Sequence, residues 1–280
     1  PKAGGPMYLT RLVKDKATTV DVAMSSEQEA KLNTLFEQNA STSPLVNSEL
    51  MNIKQNELTW SFTPLNTRLS TLRQLLAQIA SNKVVLNQEK APSSDVAQTL
   101  TDVRSQLLFI EKKLAKPTEL PGPTGESNIL YLESRGTVAC FRCTDTSFNF
   151  WMMSMASALA AGNCVIAVVD EQYFNEAQSI VGQLESIGVP KGVLTVAKLA
   201  HLPTVLTHNH LAGAVVDNQS PLKKYVGETI AARKGAILPM ITAYTNESLF
   251  DRMVTEKTIT IDTTAAGGNA SLMTMESNVG

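Results

Sequence analysis

From residue 25 to about 115 the chain is poor in glycine and rich in helix formers, and two runs of apolar positions within it recur at helical spacing. Leu69, Leu72, Leu75, Leu76 and Ile79 make one stripe, and Val96, Leu100, Val103, Leu107, Ile110 and Leu114 make another. Recurrence every three or four residues turns one face of a helix toward a core. Ser93 or Ser94 is placed to cap the second run, Asp95 falls in its first turn, and Pro117 marks its stop. Each run carries a single stripe, so both helices are expected to pack on something larger.

At 117–125 three prolines and two glycines predict a loop, and the pattern beyond it changes. Short apolar runs at 129–132, 137–141, 164–169, 192–196, 212–216 and 236–241 read as strands, and they alternate with helical patterns at 150–161, 171–187 and 221–232. Apolar strands alternating with helices predict an α/β fold, a doubly wound and mostly parallel sheet covered on both faces. Residues 256–262 depart from this: Ile259 and Ile261 share one face and Thr258 and Thr260 the other. No later strand can form a hairpin with this one, so its edge is expected to meet the sheet or another chain. Gly267, Gly268 and Asn269 then make a flexible bend, read as a close backbone approach because no helix start follows.

Composition narrows the function classes. The 280 residues are 43% hydrophobic, enough for real cores. Lys and Arg total 24 against 26 Asp and Glu, a formal net charge of -2, which provides no global field for nucleic acid or anionic lipid. Cys140, Cys143 and Cys164 are too few and too clustered for a disulfide framework and are expected to be thiols in a reducing cytoplasm. The longest mostly apolar stretch, 148–161, is broken by Asn149, Ser154 and Ser157 and falls short of the ~20 residues that span a bilayer. Residues 1–7 show no signal-peptide pattern and no initiator Met, so the chain is expected to be a piece of a longer one.

Candidate chemistry is sparse. Cys140 and Cys143 have CxxC spacing but lie at the end of an apolar strand, where they face opposite sides of the sheet, so buried structural thiols are expected. His208 and His210 have only His201 as a further imidazole, short of a metal ligand set, and read as a solvated loop. The glycines at 122 and 125 lack the lysine of a phosphate loop, and neither a GxGxxG nor a GxSxG pattern is present. No nucleophile, base and oxyanion-binding group can be assembled, and no metal site is expected.

Two motifs carry a family resemblance. The segment 158–163, Ala-Leu-Ala-Ala-Gly-Asn, resembles the helix-to-strand junction of aldehyde dehydrogenases, and 188–194, Gly-Val-Pro-Lys-Gly-Val-Leu, is similar to their following turn. The resemblance covers roughly 60–245 and implies a Rossmann-like nucleotide-binding fold preceded by helices. In register from Gly162 and Asn163, the family's functional positions have decayed. Its oxyanion asparagine falls on Asp145, whose charge opposes an oxyanion. Its ribose-holding lysine falls on Val168, leaving Glu171 as a vestige of cofactor binding. The glycine and serine that face the pyrophosphate fall near Asn218 and Gln219, and the general-base glutamate near Leu238 or Pro239. The second half of the enzyme, with its cysteine nucleophile, has no room before residue 280.

The ends refine the resemblance. Residues 1–9, Pro-Lys-Ala-Gly-Gly-Pro-Met-Tyr-Leu, resemble the close of the semialdehyde dehydrogenase module of the proline utilization A family, and 263–273 are similar to the C-terminal motif of its long members. The resemblance implies four parts: the end of that module at 1–13, a connector at 14–60, a catalytically dead domain at 61–253 (helices 61–116, α/β part 128–253), and a strand with tail motif at 254–280. It implies a parent enzyme that oxidises proline with FAD, passes electrons to membrane quinone, and oxidises the semialdehyde with NAD. This segment itself would hold no cofactor. The parent would be cytoplasmic and peripheral at the inner membrane, and some members bind operator DNA through a separate N-terminal domain. The expected role here is a tunnel lid and brace docked on the dehydrogenase module of the same or a dimer-related chain, with Ile259, Ile261, Gly267, Gly268 and Asn269 in the docking element. A regulatory nucleotide-binding module and an oligomerisation element are the competing expectations.

Overall fold

A computed structural model describes residues 25–39, 53–87, 93–242 and 246–262. Helices α1 (Ser26–Asn39), α2 (Ile53–Ser61), α3 (Leu65–Ala80) and α4 (Ser93–Leu114) come first, followed by the strands β1 (Thr118–Leu120) and β2 (Glu126–Ser134). The α/β part runs β3 (Thr137–Arg142), α5 (Phe148–Ala160), β4 (Cys164–Val169), α6 (Phe174–Ser186), β5 (Leu194–Lys198), α7 (Leu202–Thr207), β6 (Leu211–Val215), α8 (Leu222–Ala231) and β7 (Met240–Ile241). Helix α9 (Asn246–Asp251) and strand β8 (Val254–Asp262) close the described chain.

The five-stranded sheet has the order β5-β4-β3-β6-β7, and every pair is parallel. Residues of β3 and β4 alternate between two cores, as the two-residue strand period requires. Val138, Cys140, Val165, Ala167 and Val169 join α3 to α6 on one face. Ala139, Phe141, Ile166 and Val168 join α7 and α8 on the other. Helix α5 is buried on nearly every side, enclosed between α3, α4 and the sheet, and Trp151, Met152 and Met155 are fully buried.

The junction after α5 shows what its sequence motif does. Gly162 takes φ +90, and the amides of Gly162 and Asn163 bond back to the carbonyls of Leu159 and Ala158, the left-handed glycine stop that satisfies the last carbonyls of a helix. The Asn163 amide is then fully used. Its Oδ1 accepts from the backbone N–H of Arg135 at 2.7 Å and Gly136 at 3.0 Å. Its Nδ2 donates to the carbonyls of Ala158 at 3.1 Å and Met253 at 2.9 Å. One buried side chain thus ties the central helix to the exit of β2 and the entrance of β8 in a second sheet.

That second sheet, β1-β2-β8, is antiparallel, and it corrects two expectations. Residues 129–132 belong to it and not to the parallel sheet. The strand with Ile259 and Ile261 pairs with β2 of its own chain along nine positions from Glu126↔Asp262 to Ser134↔Val254, where the sequence offered the parallel sheet or another chain. The strand expected at 236–241 shrinks to Met240–Ile241, since Pro239 has no amide to donate and Gly235 turns at φ +105. Within the stretch expected as a connector, α1 and α2 pack on the domain itself: Trp60 of α2 donates Nε1–H to the Leu159 carbonyl at 3.0 Å.

Candidate functional site, the carboxyl ends of the parallel strands

Strand order reverses between β3 and β6, because β4 and β5 extend the sheet one way and β7 the other. Open α/β sheets bind ligands outside the carboxyl ends of the strands at such a reversal. Here those ends carry acids. Asp145 follows β3, Asp170 follows β4 and Asp217 follows β6. Burial and then the charges of Asp170 and Asp217 raise the pKa of Asp145 above the usual carboxylate range. Asp170 accepts from the Thr144 amide at 2.6 Å and hydroxyl at 2.8 Å, and Asp217 accepts from the Gln219 amide at 2.9 Å. Among the described residues no acid, histidine and cysteine group could hold a metal ion.

The positions singled out in the sequence lie around this point. Val168 is fully buried in the second core and offers no donor. Glu171 reaches outward to Lys198 Nζ at 2.9 Å. Asn218 accepts from Lys223 Nζ at 3.0 Å, and Leu238 packs on the second core. The Pro239 carbonyl accepts from the Ala214 amide. Ile259 and Ile261 stand apart on the antiparallel sheet, 40% and 52% exposed. Gly267, Gly268 and Asn269 lie outside the described residues.

Cys140, Cys143 and Cys164 are buried thiols. Cys140 and Cys143 fall in opposite cores. Burial pushes the Cys164 thiol up to about 12, with Glu57 adding to it, and burial raises Cys140 and Cys143 as well. The rings of His208 and His210 are 5.6 Å apart. Burial, His210 and Arg233 lower the pKa of His208. His201 stands at the opposite end of α7, about 9 Å along that helix.

Sequence reasoning missed a buried ion pair beside the crevice. Arg142, at the end of β3, donates Nε–H to Glu176 Oε1 of α6 at 3.0 Å, with both side chains almost wholly enclosed. Its guanidinium lies 4.0 Å from the Tyr173 ring centroid and donates to the Thr146 carbonyl. Glu176 also accepts from the Asn87 amide at 2.9 Å. The pair anchors the loop after β3. It was invisible because exposed and buried charges look alike in a sequence.

The aldehyde dehydrogenase family profile matches residues 17–215. The chain belongs to the aldehyde dehydrogenase family. Within it, the bifunctional protein PutA of Salmonella typhimurium is 27% identical over 277 residues, covering 98% of this chain and 17% of that protein. The Escherichia coli PutA is 26% identical over the same span. This chain therefore spans about a sixth of the length of the curated relatives it matches. A crystal structure of Bradyrhizobium japonicum proline utilization A superimposes with a TM-score of 0.62 at 24% identity, over 77% of this chain and 24% of that one. PnpE in complex with nicotinamide adenine dinucleotide gives 0.60 at 19%, over 71% and 43%. The aldehyde dehydrogenase fold implies NAD, and these residues do not fit it: carboxylates crowd the strand ends where an anionic diphosphate would approach, and Val168 supplies no cation. Among the described residues no helix is long and apolar enough to cross a membrane.

Proposed function

We propose that this chain is a non-catalytic domain of a proline-catabolic enzyme that converts proline to glutamate through pyrroline-5-carboxylate. Its role there is to cover and brace the NAD-dependent semialdehyde dehydrogenase module, with FAD and NAD held elsewhere in the parent. One observation supports this most: an aldehyde dehydrogenase sheet whose strand-reversal point is negative. Asp145, Asp170 and Asp217 lie close enough at that point for their charges to act on one another, and a carboxylate at Asp145 raises the energy of an oxyanion instead of lowering it. The similarity to PutA along nearly the whole chain supplies the context.

The docking element in this reading is β8 with the tail beyond it. Among the described residues β8 is an edge strand of nine residues, and edges of that length invite pairing. Ile259 and Ile261 present apolar surface beside it, and Gly267, Gly268 and Asn269 complete the contact, in the same or a dimer-related chain. The parent is cytoplasmic and peripheral at the inner membrane, where quinone takes the electrons of proline.

The test is the NADH time course from proline for the intact parent and for its Ile259→Ser/Ile261→Ser variant, with direct pyrroline-5-carboxylate oxidation measured beside it. The substitutions keep the β8 backbone pairing. A lag in the coupled reaction, or loss of the second activity with the first spared, is expected. Coincident traces would sink the lid role.

A further inference from the structure

Helix α7 ends at Thr207 and β6 begins at Leu211, so His208, Asn209 and His210 turn the chain from one to the other. Main chain closes this turn twice: the His208 amide donates to the Val205 carbonyl at 3.2 Å, and the Leu211 amide to the His208 carbonyl at 3.1 Å. A ring closes it again, because His208 Nδ1 accepts from the His210 amide at 3.3 Å. Only a neutral imidazole with its proton on Nε2 leaves Nδ1 free to accept, since both nitrogens donate in the cation.

The same turn holds the end of another helix. Arg233, just past α8, donates through Nη1 to the carbonyls of Leu206 and His208, the latter at 2.9 Å. A cation suits that place, where α7 leaves its last carbonyls without partners inside the helix. Leu206 and Ile230, on either side of the contact, are buried in the second core. Beyond Arg233 the chain passes the exposed Ile237 to reach β7 at the sheet edge. The charges acting on His208 are of one sign. The His210 ring centroid is 5.6 Å away, and Arg233 adjoins from α8. Tyr225 and Glu228 of α8 line one hollow with Thr207 and Arg233, but Glu228 stands 4.0 Å from Lys224 of its own helix. Burial, then His210 and Arg233, lower the pKa of His208, and no carboxylate is among the groups that shift it.

We infer that the 208–210 turn is an acid-released latch on the end of α8: it is seated while His208 is neutral, and protonation of His208 at Nδ1 removes the bond from the His210 amide and sets a cation beside Arg233. Once the turn opens, Arg233 loses the His208 carbonyl and the passage from α8 to β7 is freed. Mild acid thus loosens this edge of the five-stranded sheet and leaves its centre folded. The seated turn takes up the proton less readily than an open one, whose histidine has the ordinary value of about 6.5. The latch therefore contributes fully above that value, and its contribution is lost as pH falls from there toward the lowered native value. One pH unit below the ordinary value an open turn carries the proton about ten times in eleven, so opening is favoured by at most about elevenfold.

The experiment is amide hydrogen exchange of the full chain, corrected for the pH dependence of free amides, at about pH 7.5 and about pH 5.5, one unit either side of the ordinary histidine value. The native chain is compared with His208→Asn, whose Oδ1 keeps an acceptor for the His210 amide and does not titrate. In the native chain, opening at 209–211 and 230–233 should be about three- to elevenfold easier at the lower pH, with β4 protection unchanged. In His208→Asn the two pH values should agree, and His208→Ala, which has no acceptor, should exchange fast at both. A native rise below about threefold overturns the inference, and so does a rise of equal size in His208→Asn. An NMR titration of the His208 ring in the native chain needs no variant, and a midpoint at or above about 6.5 overturns it as well.

Discussion

Replacing Glu176 by Gln is expected to destabilise the domain by about 3–5 kcal/mol, the usual cost of leaving one member of a buried ion pair without its partner. The structure justifies the upper part of that range. The two side chains are only 2% and 1% exposed, with N and O at 3.0 Å, and opposite charges about 3 Å apart at an effective dielectric of about 20 attract by roughly 5 kcal/mol. The Gln can keep a hydrogen bond, so the deficit measured is chiefly charge. The Tyr173 ring beneath the guanidinium offsets only a small part, about 1–2 kcal/mol when desolvated. Urea melts of the native chain, Glu176→Gln, Arg142→Met and the combined variant form a cycle. In a thermal melt the single change should lower Tm by about 6–20 °C. The combined variant should recover part of the loss, because with Arg142 also replaced no buried charge is left without its partner. A single-variant loss below about 1 kcal/mol, or a combined loss equal to the sum of the singles, would refute the argument that the pair acts as a charge-compensated unit.

Further outcomes follow from the same geometry. Asn163→Ala leaves the amides of Arg135 and Gly136 and the carbonyl of Met253 without their side-chain partner; at about 1–3 kcal/mol per buried orphan, a loss of at least 3 kcal/mol is expected in urea melts, with hydrogen exchange at 254–262 rising before that at 164–169. Asp145→Asn should raise Tm at neutral pH. The Asp145 pKa is raised in the fold, so its charged form opposes folding above that pKa; the gain should shrink as pH falls through it toward the unfolded value, and a gain independent of pH from 3 to 7 (roughly the carboxylate range) would contradict the repulsion. Cys140, Cys143 and Cys164 should be unreactive toward a thiol reagent in the native chain near pH 8 (about the ordinary cysteine pKa) and all react after unfolding, because burial raises each thiol.

The parallel sheet was legible because β3 and β4 are buried on both faces and read as nearly unbroken apolar runs. The same holds for α3 and α4, whose stripes match their buried residues closely. Pairing across long separations was not. Nothing local to Ile259 names Ile129 as its neighbour, since the alternation that marks a strand is silent about its partner. Helix α1 escaped notice because its stripe is only Leu32, Leu35 and Phe36, too short to outweigh the polar residues between them. At the candidate site, register with the family located Asp145, Val168 and Glu171, but not that Asp170 and Asp217 would join Asp145 in one charged group. That grouping is produced by three strand ends far apart in sequence. The role of Asn163 was hidden for a related reason: a family motif draws attention to chemistry, and here the residue serves as a hydrogen-bonded junction.

The pairing of β2 with β8 also sets a schedule during synthesis. Glu133 and Thr255, opposite each other in the ladder, are separated by 122 residues. At about 5–20 residues per second, a ribosome needs roughly 6–24 seconds to make the second after the first. Throughout that interval β2, with Ile129, Tyr131 and Leu132, has only the three-residue β1 beside it, while the parallel sheet can already assemble. The nascent chain thus carries an open strand edge while the parallel sheet is already assembling, and a ribosome stalled before residue 254 would display that edge to chaperones and to neighbouring nascent copies alike.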